Sequence, residues 1–573
     1  MYEVITDATK LPTFHKDKPL FSDIETRKLY IDTRLVSMYQ PEYSDTVYIF
    51  DLAPVGYNEE EYESTLQTFK DYLKDFWCVW YNGAYDLGTL NMNTARYDDL
   101  FFASKIAFYK SQSFSLDKLL EYLNLGYLYE GLDKKSLQKK GFKLGVELSD
   151  DQLKYSAMDV YALKFIWERL EIQEVLKSNK AYKLDTMSQT YAIDYQQNGI
   201  DVDIEEIDRL VPIEEAKVLE LQAKITEGLN VNSPKQIVKY LGTKDSAKDT
   251  LTLLLASDIS QELKEEVDAI LKLRVVKKRL SYLKSVRHEK MYTKFNASGA
   301  STGRFSAKGG DLENGFNAQN IPRAFSAIFT ATVENTAIVS LDYATLQLRI
   351  ACAIYKDYNM YKRLKDGVDL HTTMAIEVSG KQLHSSGVVK DDSEEGKSGK
   401  YVTKGDRTKA KAVNFGFIFG MTAKKFVIYA YVNYGLVISL EEASQFRRAF
   451  FRTYPDTAKY HKYCWDNVDK PDFYLVTALG RKIKPKAGTE AINCTVQGSE
   501  GECTKLALHY LLKLYPEALN YIFNVVHDSV YLRVPKDEYD LWKDRLATSM
   551  LKGWEQISKS TLFKFKDIPM QVD

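Results

Sequence analysis

Acidic side chains at particular spacings are the first feature of the sequence that could do chemistry. In PLFSDIETRKLYI, Asp23 and Glu25 stand two apart, so a strand points both to one face. Two adjacent carboxylates repel one another and call for a cation, and hard oxygen ligands select Mg²⁺ or Mn²⁺. Asp86 follows in WCVWYNGAYDLGTL, an apolar strand running into a glycine-containing turn. The helical pattern of LKYSAMDVYALKFIW sets Tyr155 and Asp159 on one face. Far downstream, Asp342 ends an apolar strand in NTAIVSLDYATLQLRIACAIY, and His527-Asp528 form the turn between two strands in FNVVHDSVYLRV. An acid at the end of a buried strand is costly unless it holds a metal. Between them lies RTKAKAVNFGFIFG, read as a helix with Arg407, Lys411, Phe415 and Phe419 at every fourth residue. Two cations followed by two rings suit a nucleoside triphosphate, and Gly416 and Gly420 suit a close approach or a pivot.

The elements that must position these residues need more than one core, because the chain has 573 residues. Hydrophobic content of 45% and charged content of 27% are those of a globular protein, and the net charge of -1 provides no global basic field. Nucleic-acid binding would therefore rest on local patches. The five scattered cysteines lack zinc-ligand spacing and point to a reducing, cytoplasmic setting (a host's cytoplasm if the chain is viral). No signal peptide and no membrane-spanning run are expected. From about Tyr191 the pattern turns helical. Ala269–Lys290 is basic and amphipathic, and Lys272, Arg274, Lys277, Lys278 and Arg279 could grip phosphates or simply form a solvated face. The polar run SSGVVKDDSEEGKSGKYVTKGD before Arg407 is expected to be a flexible loop.

DIE, N-x-x-Y-D and Y-x-x-x-D, in that order, resemble the three motifs of the proofreading 3′–5′ exonucleases. The resemblance implies that Asp23, Glu25, Asp86 and Asp159 hold two metal ions and that Tyr155 orients the attacking water. TGR with N-x-Q-N-I-P, then DYxxLxLR, R-x-x-x-K-x-x-x-F-x-x-x-F-G and His-Asp-Ser, resemble the signatures of family A DNA polymerases. This second resemblance implies an α/β multidomain protein. An RNase H-like exonuclease at 1–185 would be followed by a right-hand polymerase at 186–573. The thumb would be helical (about 190–295), the palm an antiparallel sheet (about 296–350 and 455–573), and the fingers helical (about 351–454). It implies that Asp342 and Asp528 hold two Mg²⁺ (or Mn²⁺) ions at a second site. Arg407, Lys411, Phe415, Phe419, Gln347, His371 and Tyr343 would meet the incoming nucleotide. Arg304, Asn317, Gln319, Asn320, Arg481, Asn493, Gln497 and His527 would meet primer and template. The gap between Arg304 and Asn317 is longer than usual in the family and reads as an extended loop.

Four departures stand out. Gln347 replaces the family's sugar-gate glutamate, and Phe419 replaces the tyrosine whose hydroxyl pairs with it. Both partners of one hydrogen bond have changed together, and the expectation is that Gln347 still excludes ribose. Ser529 follows Asp528 where glutamate is usual, and Thr489 takes the place of a template-contacting arginine. Phe415 implies poor use of dideoxynucleotides. The expected activity is primer-dependent, template-directed DNA synthesis with proofreading, replicating a phage genome. The alternatives are a single-subunit RNA polymerase, which shares the His-Asp-Ser turn, and a nuclease with a non-catalytic C-terminal half. Expected partners are primer–template DNA, dNTPs and a replisome's helicase or single-strand-binding protein, with the chain itself a monomer.

Overall fold

The structure is a computed structural model that describes residues 1–329 and 333–573. Its first part is a six-stranded sheet of β1 (Tyr2–Ile5), β2 (Pro19–Lys28), β3 (Ile31–Tyr39), β4 (Val47–Asp51), β5 (Trp77–Trp80) and β6 (Arg96–Asp99), in the order β1-β4-β3-β2-β5-β6. The strands β2, β3 and β4 form an antiparallel meander, while β5 and β6 run parallel to β2. Pairing of β2 with β5 covers Pro19–Phe21 only. Asp23 and Glu25 therefore lie beyond the carboxyl end of β5, in the crevice where open α/β sheets collect ligands. Helices α1 (Gly83–Leu90), α2 (Leu100–Ala107) and α3 (Asp150–Trp167) flank the sheet. A Ser149–Gln152 capping box fixes where α3 begins, and so fixes the depth of Tyr155 and Asp159.

Helix α4 (Lys180–Tyr195) joins the two halves. The expected boundary at 185 falls inside it. Gln189 donates to the Phe295 carbonyl at 3.1 Å and accepts from the Ala297 amide at 2.8 Å. Asp185 receives Arg481 and Lys505, and all three are buried. The arm that follows is built on α5 (Ile204–Gln222) and α6 (Gln261–Ser285). Val267, Ile270, Leu271, Leu273, Val276 and Leu283 form the buried stripe of α6. Of its cations, Lys272 pairs with Asp268 one turn away at 2.6 Å. The guanidinium of Arg274 donates to the carbonyls of Val231 (2.9 and 2.7 Å) and Ser246 (2.7 Å), tying the segments before the arm's small helices to α6. The long segment after Arg304 is more ordered than expected. Ser306–Lys308 pairs with Lys294–Asn296, and Asp311 bonds the amide of Leu29 at the β2–β3 turn at 3.0 Å.

The second sheet consists of β7 (Thr336–Ser340), β8 (Ile522–Val526) and β9 (Ser529–Pro535) in the order β7-β9-β8, all antiparallel. Between β7 and β8 along the chain lie α7 (Leu346–Tyr355), α8 (Leu370–Ser379), α9 (Lys404–Ile418), α10 (Ala423–Tyr434) and the long buried α11 (Gly488–Leu514). Helix α12 (Tyr539–Ser558) backs the sheet. The polar run before α9 is a folded segment rather than a flexible loop. It contains a short helix at Glu394–Lys397, bridges such as Val389↔Thr403, and a staple in which Asp391 accepts from the Gly405 amide at 3.1 and 3.2 Å. A polar sequence can order itself in this way when its carboxylates find backbone donors.

Candidate active sites

In the first half, Asp23, Glu25 and Asp159 each bring a carboxylate oxygen to within 4.8 Å of the others. Asp86 is buried on α1, and its Oδ1 accepts from the Ile24 amide between the two β2 acids at 3.1 Å. Helix α1 is aimed there by Asn82, which takes the left-handed conformation (φ 66°) an asparagine tolerates. Asp99 holds that turn by accepting from the amides of Asn82 and Gly83 at 3.1 and 3.0 Å. Burial, and then mutual repulsion among the acids, pushes Asp23 and Glu25 well above the usual carboxylate range. Burial does the same to Asp86 and also raises Asp159. These hard oxygen donors, crowded and charge-frustrated, fit a divalent cation or a pair of them. Tyr155 and Tyr129 both bond the Asp159 carboxylate. Lys134 extends its Nζ to 3.8 Å from Asp159 Oδ1 and 3.3 Å from the centre of the Tyr129 ring. Sequence reasoning missed Tyr129 and Lys134, because Tyr129 ends a single 3₁₀ turn (Gly126–Tyr129) and Lys134 opens a seven-residue helix (Lys134–Lys140), both too short for a local pattern to carry a signal.

In the second half, Asp342 follows β7 and Asp528 sits on the β8–β9 turn, with His527 left-handed at φ 53°. Asp342 exchanges two backbone hydrogen bonds with Asp573, both 3.0 Å. Ser529 donates its hydroxyl to Asp342 Oδ1. Burial, and then the nearby Asp342, raises Asp528 to about 6, with Arg304 opposing. Two neighbouring carboxylates in mutual repulsion again fit a cation.

The other expected residues divide into groups. Arg407, Lys411 and Phe415 share a face of α9, which ends at Ile418 and leaves Phe419 as its cap. Arg407 pairs with Asp369 at 2.8 Å. Burial alone would raise Asp369, yet hydrogen bonds from Arg407 and Thr372 bring it down to about 2. His371 is buried, accepts at Nδ1 from Asn414 Nδ2 at 3.0 Å, and is lowered to about 4 by that burial, so its ring is neutral rather than cationic. A Cβ on Gly416 would meet Phe426 at 2.6 Å, so the close approach there is packing of α9 on α10. Asn317 accepts from the Gln319 amide at 3.0 Å, Gln319 reaches the Val525 carbonyl at 3.3 Å, and Asn320 closes the same turn, fixing this segment against β8. Asn493 donates to the Phe419 carbonyl at 3.3 Å.

Two of the expected contact residues lie in the interior. Arg481 is 1% exposed and paired with Asp185, so it braces α4 against the second half. Tyr343 is buried with its hydroxyl on the Met550 carbonyl at 2.7 Å, so its ring belongs to the core rather than to a nucleotide pocket. Glu500 was missed altogether. It is buried on α11, accepts from Gln347 Nε2 at 2.9 Å, and pairs with Arg304, which also donates to the Gln497 carbonyl at 3.1 Å. The sequence carried no signal that singles it out, because α11 also holds Glu490, Glu502 and Lys505.

A six-stranded α/β sheet with four converging acids, joined to a three-stranded antiparallel sheet with two more, defines a protein with two carboxylate sites suited to divalent cations. The chain belongs to DNA polymerase family A: that family's model matches residues 211–573, and a 3′–5′ exonuclease model matches residues 2–174. It is 29% identical over 492 residues to DNA polymerase I of Aquifex aeolicus, which covers 78% of each chain. It is 26% identical over 482 residues to DNA polymerase I of Bacillus subtilis, covering 76% of this chain and 50% of that one. The chain thus spans about half the length of the Bacillus relative. The polymerase domain of Pol1 from M. smegmatis, solved in complex with DNA primer–template and dNTP, superposes with a TM-score of 0.68 at 19% identity, covering 97% of this chain and 95% of that one.

Proposed function

We propose that this chain extends a DNA primer on a DNA template and removes mispaired 3′ ends at its first site. The observation that carries this is the meeting of Asp342 and Asp528 across the β7–β9–β8 sheet, with Ser529 steadying Asp342. Asp342 and Asp528 would hold Mg²⁺ there, as Asp23, Glu25, Asp86 and Asp159 would in the nuclease. The metals supply Lewis acidity that lowers the pKa of a primer hydroxyl or a water and offsets charge on phosphate oxygens. On the protein side, Lys411 and Arg407 draw the triphosphate to α9, with Arg407 exchanging Asp369 for phosphate. The neutral His371 adds a hydrogen bond, Phe415 lies against the sugar, Phe419 flanks the base, and Gln347 fills the space a ribose 2′-hydroxyl would need.

Arg304, Asn317, Gln319, Asn320, Asn493, Gln497 and His527 line the path of primer and template. In the nuclease, Tyr155 holds the attacking water beside Asp159. The finer setting, replication of a phage genome by a monomer working with a helicase and a single-strand-binding protein in a cytoplasm, is part of this proposal. Among the described residues no helix is long and apolar enough to cross a membrane.

The test is extension of a labelled primer with Mg²⁺ and dNTPs, rNTPs or no nucleotide. The proposal expects extension with dNTPs and shortening without nucleotide. Asp342→Asn should abolish only the first, and Asp23→Ala with Glu25→Ala only the second. Extension with rNTPs in preference to dNTPs would establish a transcriptase instead, and shortening without extension a nuclease with a binding scaffold.

A further inference from the structure

The side chain expected to exclude ribose is not held by the fingers. Phe419 has no hydroxyl to offer, and Gln347 instead donates to Glu500 on the palm helix α11 at 2.9 Å. Glu500 is 2% exposed, and a buried carboxylate needs a countercharge, which Arg304 supplies. Arg304 is in turn held by the Gln497 carbonyl on the same helix. An ionised carboxylate only accepts, so the Gln347 amide is locked with Nε2 toward Glu500 and Oε1 turned away from it. The lock fixes both the length and the orientation of the side chain.

We propose that Glu500 is the positioning residue of the sugar gate, holding Gln347 where it discriminates a 2′-deoxyribonucleoside triphosphate from its ribo counterpart. This rests on the polymerase reading above. Both partners of the lock sit on the palm, so selection against ribose does not wait on a contact made by the fingers. The same carboxylate anchors Arg304, so the gate is coupled to a residue placed beside Asp528.

The test is the ratio of kcat/KM for a ribonucleotide to that for the matching deoxynucleotide on one primer–template. It is measured for the wild type, Glu500→Ala, Glu500→Gln and the exchange Gln347→Glu with Glu500→Gln. Loss of a hydrogen bond to a charged group predicts that Glu500→Ala raises the ratio roughly ten- to a hundred-fold. Glu500→Gln, which lets either amide orientation form, should raise it by less. The exchange rebuilds an amide–carboxylate pair with its ends reversed and should bring the ratio back to within about threefold of wild type. A loss of folding or of Arg304 placement alone would lower both rates without moving the ratio. If Glu500→Ala proves inert, Glu500→Gln and the exchange still report the ratio. A ratio unchanged in every active variant, with wild-type dNTP extension intact, overturns the role of Glu500 and leaves the polymerase reading standing. Failure of the wild type to extend with dNTPs overturns both.

Discussion

Replacing Asp185 with asparagine tests the joint between the two halves. Asp185 is wholly buried on α4 and receives Arg481 and Lys505, the latter at 2.5 Å. Asparagine keeps the shape, removes the charge and strands two buried cations. Removing one partner of a buried pair costs ~3–5 kcal/mol. Glu502 offsets little of this: burial raises it to about 7, so near neutrality it is only partly ionised. The expected cost of Asp185→Asn is therefore about 3–5 kcal/mol at pH 7, read as a fall in the urea midpoint of α4 and the second half together. The pH dependence has a definite sign. Burial pushes the Asp185 carboxyl up, but Arg481 and Lys505 more than offset it and hold it below the usual range. A depressed carboxyl contributes stability that is present above its unfolded pKa of ~3.9 and is lost as pH falls through the folded value. The gap between wild type and Asp185→Asn should thus narrow on acidification below about pH 4. A cost under about 1 kcal/mol, or a gap that widens in acid, would refute the reasoning. So would an Arg481→Met variant that kept its stability and lost primer–template affinity.

Three further outcomes follow from the same structure. Burial lowers Lys105 to about 7, where its Nζ donates to the carbonyls of Ser298 and Ala300. The unfolded chain binds that proton up to ~10.4, so wild-type stability should rise with pH above about 7 by at most ~1.4 kcal/mol per unit; Lys105→Met should flatten that slope, and an unchanged slope in denaturation between pH 7 and pH 9 would count against it. Ser529→Ala removes one donor to Asp342, worth ~1 kcal/mol, so single-turnover dNTP incorporation should slow roughly fivefold while primer shortening keeps its rate; no slowing would discard the role of the serine. Asp391→Ala loses the staple on the Gly405 amide, so limited proteolysis should open residues 385–400 while the global unfolding midpoint holds; resistance equal to wild type would contradict the staple.

The chemistry-bearing acids and the elements beneath them were legible from local pattern alone. Strand alternation set Asp23 and Glu25 on one face, helical spacing set Tyr155 with Asp159 and Arg407 with Lys411, and the turn at His527-Asp528 was legible because two apolar strands flank it. Such signals are local, with a period fixed by backbone geometry. Tertiary structure decided which charges face solvent and which face each other. Arg481 and Arg274 carry the same side chain as a phosphate-gripping arginine, but Asp185 in one case and two backbone carbonyls in the other claim them first. Tyr343 turns into the core because its hydroxyl finds the Met550 carbonyl. The polar run before α9 folds because Asp391 finds the Gly405 amide. Glu500 becomes the partner of Gln347 only when α11 passes behind α7. These choices depend on partners far apart in the chain, and a buried charge is settled by whichever partner reaches it, which spacing along a single sequence does not encode.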